Sequence, residues 1–530
     1  MTSEDPLTYD SPPGICWTRA NIAEVTPGIL TPLGWSFYGP LVDVASRRGF
    51  AGLGIIPRSA TSYPDDPALQ IFGVFHGRAV LNLNTLRAMM SGFPGVSGDD
   101  VERDIAGSAR EGITDRSYGW RAGSVALKAP MTLPRSGKAA AAVLATTRSW
   151  WSTRFGPGGI VDGTSPRVAL REATERFGDA VVADSRARML YQGTSSPVVA
   201  LAEKAGRPDL SALLLAAPGD LEETTVAADL RRLAAGTLSM DAFVAHHGYH
   251  GPNAGDIMAQ SWRENAAPLQ RLIEKMGPEP RNESRRDEGT RAAAVADILA
   301  TLPRHRRPGA RLVLRMTPSA ARGLEQSKTA MVMSLDGARA SARARGAELV
   351  ASGRLDHPDD AFYCFLDELL EDNDLDLRGP VSARRANHER HHSIELTKTT
   401  WVGDPPTRPA AASTASTVTE VQGVGASSGV VEGPVRVILD AGATSEVDDG
   451  DILVCPVTDP SWVSLMMLAG ALVIDIGGMA SHGAIVARAL GVPCVIGTET
   501  GTADLRDGDL VRVDGGAGIV TVLKRNEDTS

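Results

Sequence analysis

His482 stands in the run Gly477-Gly478-Met479-Ala480-Ser481-His482-Gly483, and its neighbours define the chemistry open to it. A neutral imidazole is a nucleophile. The N–H groups of a glycine turn and of a helix N-terminus hold phosphate dianions. A histidine that carries a phosphoryl group needs both. Gly477, Gly478 and Gly483 open the backbone to such an anion, and Ser481 is a residue type that caps helices. On these residues alone, the run fits equally well an exposed loop histidine with no chemical role.

Two elements must position it. Residues 471–476 (Ala-Leu-Val-Ile-Asp-Ile) are apolar and β-rich, as a buried strand would be, and the paired glycines end them. Residues 484–490 have helix-forming composition. The expected order is strand, glycine turn, histidine, helix, with His482 at the positive end of the helix dipole.

The run Gly-Gly-Met-Ala-Ser-His-Gly-Ala-Ile-Val-Ala-Arg, followed by Leu490-Gly-Val-Pro-Cys-Val-Ile-Gly497, closely resembles the phosphohistidine signature of the PEP-utilising enzymes. That group includes pyruvate phosphate dikinase, PEP synthase and rifampicin phosphotransferase. Many dikinases have Thr where this chain has Ala480. Residues 424–433, 458–466 (Thr-Asp-Pro-Ser-Trp-Val-Ser-Leu-Met) and 507–515 resemble the opening strand, the Thr-Asp-Pro-x-Trp segment and the closing hairpin of the same module. The resemblance makes His482 the phosphate acceptor, with Gly477, Gly478, Ser481 and Gly483 around the phosphate. Asp459 and Trp462 are expected to shape the turn over the site, and Arg488 to serve packing or a domain contact.

The preceding chain resembles, more loosely, the substrate-binding region of rifampicin phosphotransferase. The matching landmarks are residues 17–36, 80–84, 93–95, 247–252 (His-Gly-Tyr-His-Gly-Pro), 325–328 and 355–363. The resemblance implies that Lys328 contacts phosphate and that Asn21, Glu24 and Thr31 line a chamber. Equally, Asn, Glu and Thr are ordinary cap and turn residues. Two departures stand out. An Arg-Glu-x-x-Lys pattern becomes Leu324-Glu325-Gln-Ser-Lys328, with Arg322 as a nearby cation. An Arg-Gly-Pro-x-Glu pattern becomes His250-Gly-Pro-Asn-Ala, with Asp256 further on, and the resemblance places Arg322, His250 and Asp256 with the expected substrate-binding residues.

The chain opens its substrate-region resemblance near residue 15, with no ATP-grasp module before it and no PEP/pyruvate barrel after the histidine module. The expectation is therefore a split system similar to phenylphosphate synthase, in which an ATP-grasp partner charges His482. ATP and Mg2+ would enter with that partner, and no cofactor is expected to be bound tightly here. The charged histidine would serve a hydroxyl or carboxylate of a small molecule. Leu324 leaves a second possibility, a small-molecule-binding protein that has lost transfer. A third is activation by phosphorylation for condensation or dehydration in natural-product metabolism, as in the prodigiosin-type condensing enzymes this architecture also resembles.

Length and composition set outer limits. A chain of 530 residues exceeds one ordinary core. The expected fold is multidomain α+β: a large, mostly helical substrate-binding domain (1–400), a flexible linker (401–417) and a swivelling β/α phosphohistidine domain (418–530). Helices are predicted over 198–205, 221–238, 291–302, 320–352 and 359–371, with a strand or hairpin over 73–84. The linker is rich in Pro, Ala, Ser and Thr, and 17 residues of it could reach roughly 55 Å.

A formal charge of −10 argues against a nucleic-acid surface, although arginines cluster at 281–291 and 304–311. No apolar run approaches a membrane span, no N-terminal h-region suggests a signal peptide, and a cytoplasmic protein is expected. Four scattered cysteines give no disulfide framework. Cys455 and Cys494 are expected to be buried. His246, His247 and His250 form one histidine group and His388, His391 and His392 another. Neither has a recognised ligand spacing, no metal is expected, and the second group is expected at the surface.

Overall fold

The computed structural model describes residues 5–26, 28–93, 96–113, 121–207, 210–215, 222–275, 288–371, 374–409, 418–439, 447–458, 462–478 and 481–526. Among them, no helix is long and apolar enough to cross a membrane.

The first structural unit joins distant parts of the chain. A four-stranded sheet takes its strands in the order Phe72–Phe75, Arg78–Asn82, Cys16–Thr18, Thr400–Val402. Cys16–Thr18 and Thr400–Val402 are antiparallel, with Trp17 opposite Trp401 and the Thr18 and Thr400 hydroxyls 2.8 Å apart. Trp17, Phe75, Val80 and Trp401 form a small core of their own. The chain around residue 400 is therefore held, and Thr400–Val402 lies in a sheet where the sequence predicts a flexible linker from 401. Thr407–Pro409 is also paired, antiparallel to Ile394–Leu396. Residues 410–417 lie outside the described residues.

Three long helices, Ala122–Arg154, Pro166–Lys204 and Arg307–Ala351, pack together as the centre of the helical region. The third is buried without interruption from Met333 to Ala342, a stretch of mostly small residues that lets neighbouring helices approach. Serine hydroxyls there donate to the carbonyl four residues back, as Ser334 does to Ala330 at 2.7 Å, so they enter the core satisfied. Asp336 is fully buried. It accepts from Arg263 Nε at 2.9 Å, Arg263 Nη2 at 3.2 Å and Trp151 Nε1 at 2.7 Å. Arg339 donates to the carbonyls of Ala254 (2.9 Å) and Asp256 (2.8 Å), so the segment after residue 248 is fastened to this helix. The predicted helix over 359–371 is instead a 3-10 turn, Pro358–Tyr363, and a short helix, Leu366–Leu370. The Asp360 and Glu368 carboxylates each start a new capping box, which divides the segment.

The C-terminal module is built on an eight-stranded sheet. Its order is Val424–Ser427, Cys494–Ile496, Ala471–Ile474, Ile452–Cys455, Val430–Val437, Leu510–Asp514, Ile519–Lys524, Glu420–Gln422. The four strands from Cys494–Ile496 to Val430–Val437 are parallel, and the outer pairings are antiparallel. Side chains alternate with the period of two that a strand imposes. Ile452, Val454, Ala471, Val473 and Val495 enter one core, while Leu453, Cys455, Leu472, Ile474, Cys494 and Ile496 enter another. Cys455 and Cys494 are buried thiols, as expected.

The second of these cores is shared. Helices Glu222–Ala234, Met240–His247 and Ala267–Lys275 contribute Leu230, Phe243, Leu269 and Leu272 to it, together with Trp262. The sheet is thus covered on that face by its own helix His482–Leu490 and by helices of the preceding region.

Candidate functional site

The strand Ala471–Ile474 is buried throughout and delivers the chain to Gly477. Backbone bonds from Asp475 N to Cys455 O (3.0 Å) and Ile476 N to Pro456 O (2.8 Å) extend its pairing beyond the strand proper. Gly477 has φ +157, and a Cβ there would meet Ile496. The turn closes with Ser481 N donating to Gly478 O at 2.9 Å. Helix His482–Leu490 follows, with Ser481 Oγ accepting from Ala484 N at 3.3 Å. His482 is therefore the first helical residue. Its N–H and that of Gly483 belong to the set that a helix N-terminus leaves outside the ladder. The expected strand, turn and capped helix are all present. Met479 and Ala480 lie outside the described residues, as do Asp459 to Ser461.

Gly483 has a packing reason to lack a side chain: a Cβ would lie 2.5 Å from Thr458 Oγ1 and 2.7 Å from Ile474 Cδ1. A Cβ on Gly478 would meet nothing within 4 Å, so that side of the turn is open to an incoming group. Below the turn, buried Asp475 accepts from Thr498 Oγ1 at 2.7 Å and from the hydroxyl and N–H of Thr502. Burial pushes its carboxyl up, and these hydrogen bonds pull against that rise. Sequence reading passed over Asp475, since an acid ending a buried strand gains its partners only from the loop after Cys494–Ile496.

The histidine helix lies against the helical region. Arg488 donates to Ala426 O at 3.1 Å and also acts on the hydroxyl of Tyr191, on the helix Pro166–Lys204. Burial raises the Tyr191 pKa; Arg488 and Lys328 lower it, and Asp104 raises it. Lys328, on Arg307–Ala351, thus acts through its charge on the same hydroxyl as Arg488. Its Nζ lies 3.4 Å from Glu325 Oε1.

Other residues singled out from the sequence fall elsewhere. Asn21 is exposed, has φ 65, and donates to Ile105 O at 3.1 Å, where helix Gly98–Ala106 ends. Thr31 is buried and caps the helix Pro32–Ser36, accepting from Gly34 N at 3.2 Å. Thr31 thus serves as a helix cap, whereas Asn21 stands at the start of Ile22–Val25 without a capping bond to it. Glu24 is half-buried and Arg322 exposed. Asp256 accepts from Met258 N at 2.9 Å in the turn whose carbonyl Arg339 holds.

His250 is buried beside His247 and Glu222. Burial pushes its imidazole down to about 4, with Glu222 pulling the other way. Burial raises the Glu222 carboxyl, but the neighbouring His247 imidazole and the Tyr249 hydroxyl outweigh it and bring the group to about 2. In the second histidine group, His391 is buried rather than at the surface, because Asp5 reaches back to accept from its Nε2 at 2.7 Å. His388 is half-buried and only His392 is exposed.

Comparison with known proteins agrees with this geometry. Residues 447–518 match the mobile domain of PEP-utilising enzymes, and residues 195–326 match the fourth domain of rifampicin phosphotransferase. An uncharacterized phosphotransferase of Bacillus subtilis, YvkC, is 36% identical over 195 residues, 34% of this chain and 23% of that protein. The phosphoenolpyruvate synthase of Aeropyrum pernix is 52% identical over 101 residues (19% of this chain, 12% of that one). The rifampicin phosphotransferase of Streptomyces sviceus is 46% identical over 101 residues, with the same shares of 19% and 12%. The matched stretches thus span less than a quarter of these relatives. The solution structure of Enzyme I aligns with a TM-score of 0.15 at 14% identity, covering 68% of this chain and 82% of that one, and carries no fold argument. The turn and helix that present His482 therefore lie in a PEP-utiliser mobile-domain match, and the helices covering that module lie in a rifampicin-phosphotransferase fourth-domain match.

Proposed function

We propose that the chain is the histidine-carrying component of a dikinase-type phosphotransferase. A separate ATP-grasp protein charges His482 from ATP and Mg2+, and His482 then passes the phosphoryl group to a hydroxyl or carboxylate of a small molecule. The observation that carries this reading is the placement of His482 as the first residue of a Ser481-capped helix after an open glycine turn.

In the first step an imidazole nitrogen bonds to the β-phosphorus as its P–O bond to AMP breaks, and water takes the γ-phosphate off as inorganic phosphate, leaving phosphohistidine. The turn and the helix terminus offer N–H groups to the dianion without reorganisation. In the second step the substrate oxygen forms the new P–O bond, the N–P bond breaks, and the freed imidazole can take the hydroxyl proton. Lys328, near Tyr191 and on the side of the bundle reached by the histidine helix, offsets charge on the phosphoryl group. Mg2+ belongs to the nucleotide on the partner, and none of the residues around the turn is assigned to it.

The test is incubation of the purified chain with ATP labelled at the β position, with and without a candidate ATP-grasp protein. An acid-labile label on wild type that needs the partner and disappears in His482→Ala supports the reading. Labelling without the partner removes the split, and labelling of His482→Ala removes the acceptor. Leu324, where the transferase pattern has Arg, favours one other reading, a binding protein without transfer. That reading requires His482→Ala to keep the full biological activity.

A further inference from the structure

Three side chains that the transfer reading does not use meet at the joint between the helical region and the C-terminal module. Glu222 begins the helix Glu222–Ala234, His247 ends the helix Met240–His247, and His250 lies in the turn that follows. One ligating atom from each lies within 4.8 Å of the others. We propose that Glu222, His247 and His250 form a binding site for a divalent transition-metal cation of the zinc class, with the remaining position left to water.

Four observations carry this. First, His247 Nδ1 and His250 Nε2 are both buried and have no hydrogen-bond partner among the described residues. A buried imidazole nitrogen without a partner is costly, and a cation would relieve both.

Second, His247 is oriented for ligation. Its Nε2 lies 2.9 Å from Asp229 Oδ2, so Nε2–H donates to the carboxylate, and Nδ1, turned toward Glu222, is the nitrogen that a neutral ring offers as a ligand. Histidine ligands are usually held by such a carboxylate behind the ring.

Third, the spacing is close to what is needed. His247 Nδ1 is 3.6 Å from Glu222 Oε1. Ligands about 2.0–2.1 Å from a tetrahedral zinc stand about 3.3 Å apart, so this pair needs a small contraction, and His250, with the three atoms within 4.8 Å of one another, a larger one. Two imidazoles and one carboxylate suit Zn2+ and its first-row neighbours better than Mg2+ or Ca2+.

Fourth, the surroundings are rigid. Tyr249 OH donates to Glu222 Oε1, and the Tyr249 and His250 rings lie 4.3 Å apart. Phe243 and Trp262 flank the histidines with ring centroids 5.0 and 6.0 Å away. The nearby charges are Arg148, 3.6 Å from Glu222 Oε2, Asp229, which also pairs with Arg232 at 2.8 Å, and the Asp336 carboxylate, which acts on His250. Since Phe243 and Trp262 belong to the core shared with the C-terminal sheet, the metal would fix the helices on which that module rests.

The test uses the full chain, stripped with chelator, reloaded with Zn2+ or Co2+ and desalted. Wild type is expected to keep about one equivalent of zinc per chain and to show the visible bands of four-coordinate Co2+. His247→Ala/His250→Ala should retain at least tenfold less metal, while His246→Ala, which changes an exposed neighbour, should match wild type. Stoichiometric zinc in the double variant, or wild type holding less than a tenth of an equivalent, overturns the proposal. Should the double variant fail to fold, the Co2+ spectrum of wild type decides: six-coordinate or absent bands overturn the site.

Discussion

Asp336 and Arg263 meet as a two-point pair, Nε to Oδ2 at 2.9 Å and Nη2 to Oδ1 at 3.2 Å, with both side chains out of solvent. The pair ties the centre of Arg307–Ala351 to the segment that leads from His250 into the shared core.

Removing one partner leaves a buried charge. Asp336→Ala exposes Arg263 and Arg339 to each other without compensation and should cost about 3–5 kcal/mol. Urea denaturation of the full chain would show it. Arg263→Met in the Asp336→Leu background should recover part of the loss, because Arg339 is then the one cation of the pair left without its carboxylate.

Acid should loosen the N-terminal segment. Burial raises the Asp5 carboxyl, but the hydrogen bond and charge of His391 outweigh this and bring it to about 2. A carboxyl whose folded value lies below its unfolded value of about 3.9 stabilises above that value and loses the contribution as pH falls through the folded one. The stability difference between wild type and Asp5→Asn should therefore shrink between about pH 4 and pH 2. Melting temperatures across that range would measure it.

Ser481 has a small, separable role. Ser481→Ala removes the cap on Ala484 N and should cost about 1 kcal/mol of module stability. Labelling by the ATP-grasp partner should slow while the final extent stays near that of wild type, since His482 remains. Ser481→Thr, which restores a cap oxygen, should recover the rate.

Gly483→Ala tests the close approach of helix and strand. The new methyl would press on Thr458 and Ile474, and overpacking of this kind costs about 1–3 kcal/mol. Labelling should fall at least tenfold if the helix start shifts. Labelling at the wild-type rate in a folded Gly483→Ala protein would mean that the turn tolerates displacement.

The C-terminal module was legible because its signals are local. A short continuous apolar run marked the strand at 471–476, the paired glycines marked the turn, and Ser481 marked the helix start. The helical region was less so. Ala122–Arg154 runs through Pro130 and Pro134, residues that read as breaks, and tertiary packing overrides them. Pro166–Lys204 and Arg307–Ala351 likewise contain Pro197 and Pro318.

Glu222 could not be paired with His247 and His250 from spacing, because only the helix pairing brings it across 25 residues to them. Asn21 and Thr31 show the opposite problem: a short polar side chain looks the same whether it meets a ligand or a helix end.

The pairing of Trp401 with Trp17 also fixes where any excursion of the histidine module must be hinged. While Thr400–Val402 and Thr407–Pro409 stay in their sheets, only residues 410–417 remain to span from Pro409 to Val418. Fully drawn out, that stretch covers about 30 Å. The histidine is on a short leash, long enough to turn away from the bundle but short for a journey around a second protein. Under the proposed function, a charging partner would then have to come to the joint rather than wait for the module to travel to it.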